Sequence, residues 1–476
     1  MKILMVTSES NPFAKTGGLA DVVYALSKEQ AVLGHEVSIV LPKYGSLMQT
    51  ENLQMRFIAS VPVSLGWREQ VAKIFKTVLD GITFYFVDNE YYFAREGLYG
   101  YYDDMERFAF FTLAVRNMLE VIKLKPDIIH VHDWQPGMLP VLIKKQNKDQ
   151  PFYKKMKFVL TIHNPAFQGM FDPNLIVDFY GLPIRLYDNG LLRFNDRASS
   201  LKAAIMTVDK ITTVSPTHAS ELLTPEGSKG LDPIINLRRD DFVGILNGID
   251  YQEFNPLKDP NLPLNFSNRS LNRKEQLKKL LFEELNIDYH GQALYGMVSR
   301  LTWQKGINLV LEAAELVLQK GASVVIVGSG EYGYEQEFER LRARYPNTMA
   351  IYIGYNNQLA HRVYAASDFF FMPSLFEPCG IGQMIAMRYA TLPIVRRTGG
   401  LNDTVIGYDG QNEDEATGFV FDEYNRYWMN LTTLFALEIY QDKELLKKLR
   451  LNTMRVDNRW EKSAKEYIAL YEEVVK

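Results

Sequence analysis

The fold is decided at the start of the chain by residues 2–21, KILMVTSESNPFAKTGGLAD. The apolar beginning of this stretch predicts a buried strand, its middle a glycine-containing loop, and its end a helix that continues with VVYAL. Units of strand, loop and helix are what parallel sheets are built from. The opening stretch therefore predicts an α/β protein with a doubly wound parallel sheet.

The same alternation of strands and helices continues in two series. In the first half, further strands are predicted at residues 37–41, 128–132, 158–163 and 211–214. In the second half, strands are predicted at 295–299, 323–327, 349–353, 369–372 and 392–395, and helices at 307–319, 335–344 and 384–389. We predict two domains, residues 1–250 and 251–476, and interpret the Pro-, Asn- and Asp-rich residues 255–272 as a linker.

Composition excludes several classes of protein. With 476 residues, 47% hydrophobic and 23% charged, the chain has enough apolar side chains for two large cores. A net charge of -4 gives no support for a nucleic-acid or anionic-membrane partner, and no apolar run is long enough to span a membrane. Cys379 is the single cysteine, so no internal disulfide is expected. The first apolar run is too short for a signal peptide, and we expect a cytoplasmic protein.

The loop after the first strand has the composition of an anion-binding site. Lys15 supplies a cation, Gly17 and Gly18 let a ligand approach the backbone, and Asp21 lies at the start of the helix. The order of residues differs from the nucleoside-triphosphate loop GxxxxGK[ST]. A plain glycine-rich turn with a solvated Lys15 is the alternative.

Residues 328–333, GSGEYG, match the dinucleotide-binding pattern GxGxxG. That function also needs an acidic residue about 20 positions further on, at the tip of the next strand, to hold the ribose. Here the next predicted strand is followed by Gly354 and Tyr355 instead. The sequence therefore argues against a nicotinamide-dependent enzyme.

Two cations, Arg300 and Lys305, follow the strand predicted at residues 295–299. Arginine can bind phosphate oxygens through two hydrogen bonds and lysine acts as a point charge, so the pair can stabilise the charge that builds on a departing diphosphate. Ordinary surface cations are the alternative.

Hydrogen-bonding side chains follow two strands of the first half. Asp133 comes directly after the strand that ends at His132, and His163 comes at the end of the next strand. Such residues should cluster at one sheet edge, where they suit a sugar. Zinc is the alternative, but His130, His132 and His163 lack helical HxxxH spacing and neighbouring cysteines, and the chain contains no DxD. We expect neither a metal nor another cofactor.

A loop of the second half combines a carboxylate with the start of a helix. Its sequence, PSLFEPCGIGQ at residues 373–383, includes Glu377, Cys379, Gly380 and Ile381. The carboxylate can accept hydrogen bonds from sugar hydroxyls, and the N–H groups that follow can face phosphate. A buried cysteine that only fills space is the alternative. Thr398 lies in a similar segment, RRTGGL, one strand later.

Together these motifs resemble the bacterial glycogen synthase and plant starch synthase family, retaining glucosyltransferases of GT-B architecture in which two Rossmann-like domains face each other across a cleft. The similar segments span nearly the whole chain and also include GLYG at 97–100, NGID at 247–250 and WEKSA at 460–464. The resemblance implies transfer of glucose from ADP-glucose to the non-reducing end of an α-1,4-glucan such as glycogen. UDP-glucose as donor, and a non-catalytic glucan-binding protein on the same fold, are the alternatives.

The resemblance also implies roles for individual residues. The donor phosphates would be held by Lys15, Gly18, Arg300 and Lys305, with Gly17, Ile381 and Thr398 nearby. Tyr355 would lie by the adenine, and Asp21 and Asn247 in the donor site. The transferred glucose would be surrounded by Asp133, His163, Glu377, Cys379 and Gly380. The expected catalytic residues are Arg300, Lys305, His163, Glu377 and Asp133. A C-terminal helix at about residues 457–476 would pack back on the N-terminal domain.

Overall fold

The computed structural model describes residues 1–45, 54–147 and 149–476. They form two compact units, each with its own sheet and core: unit 1 is Met1–Leu246 with Trp460–Lys476, and unit 2 is Asn247–Arg459. Among the helices of the described ranges, none has the length and apolar character needed to cross a membrane.

Unit 1 contains a nine-stranded sheet, a small three-stranded sheet and surrounding helices. Its strands are β1 (Lys2–Val6), β2 (Glu36–Pro42), β3 (Arg56–Leu65), β4 (Arg68–Leu79), β5 (Ile82–Asp88), β6 (Ile128–His132), β7 (Lys157–Ile162), β8 (Met170–Phe171), β9 (Arg193–Phe194), β10 (Arg197–Ser199), β11 (Lys210–Thr213) and β12 (Phe242–Gly244). Its first ten helices are α1 (Gly18–Val32), α2 (Glu90–Phe93), α3 (Asp104–Val121), α4 (Leu139–Gln146), α5 (Leu175–Tyr180), α6 (Arg185–Asp188), α7 (Ser200–Ile205), α8 (Pro216–Glu221), α9 (Pro225–Ser228) and α10 (Asp232–Asn236).

The strands of the large sheet run in the order β12-β11-β7-β6-β1-β2-β5-β4-β3. Pairing is parallel from β12 to β5, which confirms the strands predicted for the first half, and the buried run of β6 is typical of a strand covered on both faces. The sequence analysis missed β3, β4 and β5; β4 pairs antiparallel with both neighbours. Because β7, β6 and β1 are adjacent, the residues that follow them share one sheet edge.

Unit 2 contains a six-stranded parallel sheet in the order β15-β14-β13-β16-β17-β18. Its strands are β13 (Leu294–Val298), β14 (Ser323–Gly328), β15 (Met349–Ile353), β16 (Phe369–Met372), β17 (Leu392–Arg396) and β18 (Phe419–Phe421). Its helices are α11 (Arg273–Leu285), α12 (Ile307–Gln319), α13 (Tyr332–Arg344), α14 (Asn357–Ala366), α15 (Gly382–Arg388), α16 (Gly399–Thr404), α17 (Arg426–Ile439) and α18 (Lys443–Arg455). The strand order reverses between β13 and β16, and such switch points are where open α/β sheets bind ligands.

Residues 255–272 were expected to be a linker, and that interpretation is wrong. They belong to unit 2, where Asp259 and Phe266 are buried. The Asp259 carboxylate lies 2.7 Å from Nδ1 of His361 on α14 and accepts a hydrogen bond of 2.5 Å from the Tyr389 hydroxyl after α15. The Pro-, Asn- and Asp-rich composition produces irregular backbone here, but the segment is anchored in a core.

The last helix, α19 (Trp460–Val475), is part of unit 1. Its buried face carries Trp460, Ser463, Ala464, Tyr467 and Tyr471, at the spacing of one helical stripe. This face packs on α1 and β7, and the Tyr471 hydroxyl lies 2.7 Å from Nδ1 of His130 on β6. The chain thus leaves unit 1 after Leu246 and returns to it at Trp460.

Candidate active site

In unit 1, the loop between β1 and α1 leaves the start of a 15-residue helix without a side-chain cap. Apart from the adjoining backbone, no atom of the described residues lies within 4 Å of where a Cβ would stand at Gly17 or Gly18, so packing there does not require glycine. The Lys15 ammonium donates to the Asp21 carboxylate at 2.7 Å. A cation, an open approach and free helix N–H groups form an anion-binding arrangement.

Glu9, which the sequence analysis did not single out, holds this loop in place. Its buried carboxylate accepts hydrogen bonds from the Thr16 backbone N–H at 2.5 Å and from the Tyr99 hydroxyl at 3.1 Å. Tyr99 lies in the GLYG segment and its hydroxyl is also 2.7 Å from the hydroxyl of Ser8. In the sequence, the signal for this role is that Glu9 lies just beyond the end of β1.

Asp133 occupies the tight turn after β6, with a φ of 58° in the left-handed region that few residues other than glycine adopt. Its Oδ1 accepts hydrogen bonds from the backbone N–H groups of His163 at 2.7 Å and Asn164 at 3.4 Å. Burial nevertheless raises the pKa of Asp133 to about 7; the two hydrogen bonds lower it and the charge of Glu9 raises it. Strained backbone held by a partner is typical of functional sites.

His163 lies beside Asp133, at the end of β7. Burial lowers the pKa of His163 to about 3, so its imidazole is neutral at physiological pH. Its Nε2 lies 3.0 Å from Nδ1 of His132. Both nitrogens of His130 are within hydrogen-bonding distance of hydroxyls, Tyr471 at 2.7 Å and Thr161 at 2.6 Å. Nowhere in the described ranges do three His, Cys, Asp or Glu side chains cluster as metal ligands would.

A cavity of about 660 Å³ opens in unit 1 next to this turn. Its walls are Met105, Trp134, Ala166, Phe167, Gln168, Gly169, Met170, Phe194, Asn195 and Lys229. Trp134 directly follows Asp133, and Phe167 exposes 63% of its surface. The wall residues come from separate segments, and the sequence analysis did not identify this cavity.

In unit 2, Lys305 and Glu377 meet beyond the ends of β13 and β16. The Lys305 ammonium donates to Oε2 of Glu377 at 2.5 Å, and both side chains are largely buried. The same carboxylate oxygen accepts a hydrogen bond of 2.9 Å from the Ser374 hydroxyl. Arg300 follows β13 at the same sheet edge and is exposed. This charge cluster lies at the switch point of the sheet.

The loop that follows Glu377 is packed too tightly for larger residues. Gly380 has a φ of 70°, and a Cβ there would lie 2.8 Å from the side-chain oxygen of Gln383. The amide nitrogen of Gln383, whose role the sequence analysis missed, donates to the carbonyl oxygens of Cys379 and Gly380 at 3.1 Å. Ile381 immediately precedes α15. The loop is therefore held rigidly at the start of that helix.

The RRTGGL segment, residues 396–401, packs closely against this loop. Thr398 is buried and immediately precedes α16. A Cβ at Gly399 would stand 1.9 Å from the carbonyl oxygen of Glu377, and one at Gly400 2.1 Å from that of Cys379. These two glycines allow the loop and the segment to pack closely.

Asn247 and Cys379 are buried neighbours in unit 2. Burial raises the pKa of the Cys379 thiol to about 12, although the backbone N–H of Asn247 donates a hydrogen bond to the sulfur. Oδ1 of Asn247 is buried and has no hydrogen-bond partner in the described residues. A buried acceptor of this kind costs about 1–3 kcal/mol unless a ligand satisfies it.

Tyr355 follows β15 and exposes 77% of its surface. Its hydroxyl donates to Oδ1 of Asn357 in the first turn of α14 at 2.9 Å. The ring is thus largely exposed at the carboxyl edge of the sheet.

The GSGEYG segment is not free to bind a dinucleotide. A Cβ at Gly328 would stand 1.8 Å from the carbonyl oxygen of Ser299, so this glycine serves packing. The backbone N–H of Gly330 donates to the Glu335 carboxylate at 2.8 Å. The N–H group that a pyrophosphate would need there is already bonded to a carboxylate, which agrees with the argument from sequence.

Comparisons with known proteins identify the family. Residues 2–237 match the family model for the starch synthase catalytic domain, and residues 281–452 match glycosyl transferases group 1. The chain is 45% identical to a glycogen synthase of Clostridium botulinum, over 100% of this chain and 99% of that one. It is 44% identical to a glycogen synthase of Anoxybacillus flavithermus, over 100% of this chain and 98% of that one. The chain belongs to the glycogen synthase and starch synthase family.

Two solved structures agree. The catalytic domain of starch synthase IV from Arabidopsis thaliana, bound to ADP and acarbose, matches with a TM-score of 0.92 and 34% identity over 99% of both chains. A sucrose-phosphate synthase from Thermosynechococcus elongatus, at 16% identity and a TM-score of 0.61, shares the fold. The predicted family, the GT-B fold of two parallel-sheet α/β domains and the glycosyltransferase activity are confirmed.

Proposed function

We propose that this glycogen synthase family member transfers glucose from ADP-glucose to the non-reducing end of an α-1,4-glucan in the cytoplasm, with retention of configuration. The observation that carries the proposal is the Lys305–Glu377 pair at the switch point of unit 2, with Arg300 at the same edge. The relatives named glycogen synthase, and the starch synthase bound to ADP and acarbose, support the choice of donor and acceptor.

The donor side of the proposal rests on positive charge. Arg300 and Lys305 would bind the diphosphate, and family resemblance adds Lys15 and Gly18, with Asp21 nearby. A diphosphate is a good leaving group once its charge is neutralised, so no carboxylic acid is needed to protonate it. Glu377, released from Lys305 by the incoming phosphate, would accept hydrogen bonds from the hydroxyls of the glucose.

The remaining donor contacts would come from unit 2. The backbone N–H groups at Gly380 and Ile381 would face the phosphate or the glucose, with Thr398 supporting their loop. The unsatisfied Oδ1 of Asn247 would accept a hydrogen bond from the donor, and the exposed ring of Tyr355 would stack on the adenine.

Asp133 and His163 would bind the transferred glucose. In the proposed step, the bond from C1 of glucose to the diphosphate oxygen breaks and a bond to the acceptor hydroxyl oxygen forms on the same face of the sugar. The departing diphosphate takes the proton of that hydroxyl. His163 remains neutral and orients the sugar by hydrogen bonding, which is consistent with its lowered pKa.

The cavity beside Trp134 and Phe167 would receive the acceptor. Aromatic faces next to polar groups such as Gln168 and Asn195 provide the mixed surface that a sugar chain contacts. We propose that the end of the glucan lies along this cavity.

A radiolabel assay tests the proposed function. The purified protein is incubated with ADP-[¹⁴C]glucose or UDP-[¹⁴C]glucose, with and without glycogen, and the polymer is precipitated and counted. We expect incorporation with ADP-glucose and glycogen together, in α-1,4 linkage by proton NMR. Incorporation only from UDP-glucose would correct the donor, and glycogen binding without incorporation from either donor would leave a non-catalytic glucan-binding protein.

A further inference from the structure

The ends of β6 and β7 bring two imidazoles into direct contact. Nδ1 of His132 lies 3.0 Å from Nε2 of His163, and the ring centroids are 5.3 Å apart. A hydrogen bond between two such nitrogens contains one proton, so one ring donates and the other accepts. Which ring donates decides which nitrogen of His163 carries its own proton.

His132 is held in one orientation. Its ring is fully buried and stacks on that of His130 at a centroid distance of 4.2 Å and an interplanar angle of 30°. The ring of His130 is in turn fixed by the hydroxyls of Tyr471 and Thr161. The plane and position of the His132 ring are therefore set by a series of packed side chains that extends to Tyr471 on α19.

The surroundings of His132 select its tautomer. Burial, and then the nearby His130 and His163, lower the pKa of His132 well below its ordinary value, so the ring is neutral and carries one proton. Nε2 of His132 is buried without a hydrogen-bond partner in the described residues. A proton there would be an orphaned N–H donor, which is rarer in proteins than an orphaned acceptor. The proton belongs on Nδ1, from which it is donated to His163.

We infer that His132 is a positioning residue that fixes His163 with its proton on Nδ1, so that His163 offers a hydrogen-bond donor to the sugar. Nε2 of His163 is occupied as an acceptor, and the His163 backbone N–H is bound by Asp133 at 2.7 Å. Ring and backbone are thus oriented by two consecutive residues. The inference rests on the proposed function only in naming the sugar as the group that receives the hydrogen bond.

Nitrogen NMR tests the tautomer without reference to catalysis. The chain has seven histidines, so long-range proton–nitrogen spectra of the ¹⁵N-histidine-labelled protein can resolve them. The His163→Asn variant assigns the His163 signals. We expect His163 protonated on Nδ1 in the free enzyme at neutral pH. A His163 ring protonated on Nε2 would overturn the inference, whether or not the protein proves to be a glucosyltransferase.

Two variants at one position separate positioning from packing. His132→Phe keeps an aromatic ring to stack on His130 but has no donor, whereas His132→Asn places an amide nitrogen near the position of Nδ1. We expect His132→Phe to lower kcat by about 10–100-fold, because the His163 donor is no longer held in its productive orientation, with KM for glycogen unchanged. His132→Asn should recover most of that loss.

The comparison is made on folded protein, with circular dichroism and thermal melting as checks. Wild-type kcat in His132→Phe, or an equal loss in both folded variants, would overturn the positioning role. If His132→Phe does not fold, the tautomer spectrum of the wild-type protein still decides the inference. Absence of transfer activity in the wild type would count against the proposed function and leave the spectrum to decide the role of His132.

Discussion

The candidate residues of unit 1 favour their uncharged forms, whereas two of those in unit 2 form an ion pair. In unit 1, Asp133 is buried and His163 is partly buried, neither has a counter-ion among the described residues, and their pKa values of about 7 and about 3 favour the uncharged forms. In unit 2, Lys305 and Glu377 form an ion pair at 2.5 Å, and the exposed Arg300 follows β13 at the same sheet edge. Burial alone drives a titratable group towards neutrality, whereas an ion pair keeps both partners charged. Neutral groups suit sugar hydroxyls, and the cations of unit 2 suit phosphate.

Removing the cation from the ion pair should have the largest effect. Lys305→Ala should lower kcat by on the order of 10²–10³-fold, because charge on the departing diphosphate loses its stabilising partner. The radiolabel assay measures this, and glycogen binding should persist. Lys320→Ala, an exposed lysine just after α12, is the matched control and should behave as wild type. Near-normal transfer by Lys305→Ala would remove Lys305 from the mechanism.

Replacing Asp133 with a side chain that does not titrate should change how stability depends on pH. The folded state binds the proton of the Asp133 carboxyl more tightly than the unfolded state does. The resulting stabilisation is therefore fully present below about pH 4 and is lost as pH rises through about 7. Asp133→Asn should gain stability relative to wild type between about pH 5 and pH 8, by about 3 kcal/mol.

Urea unfolding of both proteins at the two pH values measures this difference. Asparagine tolerates the left-handed backbone at residue 133 better than most residues, but that benefit is the same at every pH. The stability difference between Asp133→Asn and wild type is therefore compared at about pH 5 and at about pH 8, and its change isolates the titration. The exposed Asp196→Asn variant is the control in unit 1. A pH-independent difference for Asp133→Asn would show that its carboxyl does not titrate in this range.

An added methyl group at the start of α1 should weaken binding of the donor while increasing the stability of the protein. Gly18→Ala should raise the stability by about 0.4–1 kcal/mol, because the part of the chain that the structure describes leaves open space around the added Cβ. The same Cβ should raise KM for ADP-glucose by about 10–100-fold, the cost of losing one charged hydrogen bond.

Gly333→Ala is the matched control for this substitution. Gly333 lies in the first turn of α13 and also has open space around it. It should show the gain in stability and no change in KM. Equal kinetics for the two variants would mean that the start of α1 binds no phosphate.

The smallest expected effect concerns the cavity of unit 1. Phe167→Ala should raise KM for glycogen by about 5–10-fold, the cost of about 1 kcal/mol for one contact side chain, and leave KM for ADP-glucose unchanged. Tyr427→Ala is the control, since that ring has similar exposure but lies in unit 2. A raised KM in both variants, or in neither, would indicate that the glucan binds elsewhere.

The sequence predicted best those elements whose pattern is local. The strands β6 and β15 were predicted with the bounds that the structure shows, because continuous apolar runs between polar turns are typical of buried parallel strands. Parallel topology also predicted that Asp133 and His163 lie at one edge of the sheet. The β3–β5 region was missed although β3 alternates buried and exposed residues, and residues 255–272 were misread because turn-forming composition does not reveal what a segment packs against.

The supporting partners of the site were beyond the sequence analysis. Gln383 donates to two carbonyl oxygens of the loop after Glu377, and Glu9 joins Thr16 to the distant Tyr99. The position of His132 beside His163 depends on the register between β6 and β7. These contacts depend on how separate segments pack in the fold, so the spacing of residues along the sequence does not reveal them.

The position of α19 constrains the order in which the protein can be completed. Tyr467 and Tyr471 are fully buried in unit 1, yet the ribosome makes them only after all of Asn247–Arg459. During synthesis, the groove that receives this helix on α1 and β7 stays uncovered, and His130 lacks the hydroxyl of Tyr471. The first unit to emerge is therefore the last to mature, and a nascent chain halted inside unit 2 would expose an apolar surface that chaperones recognise.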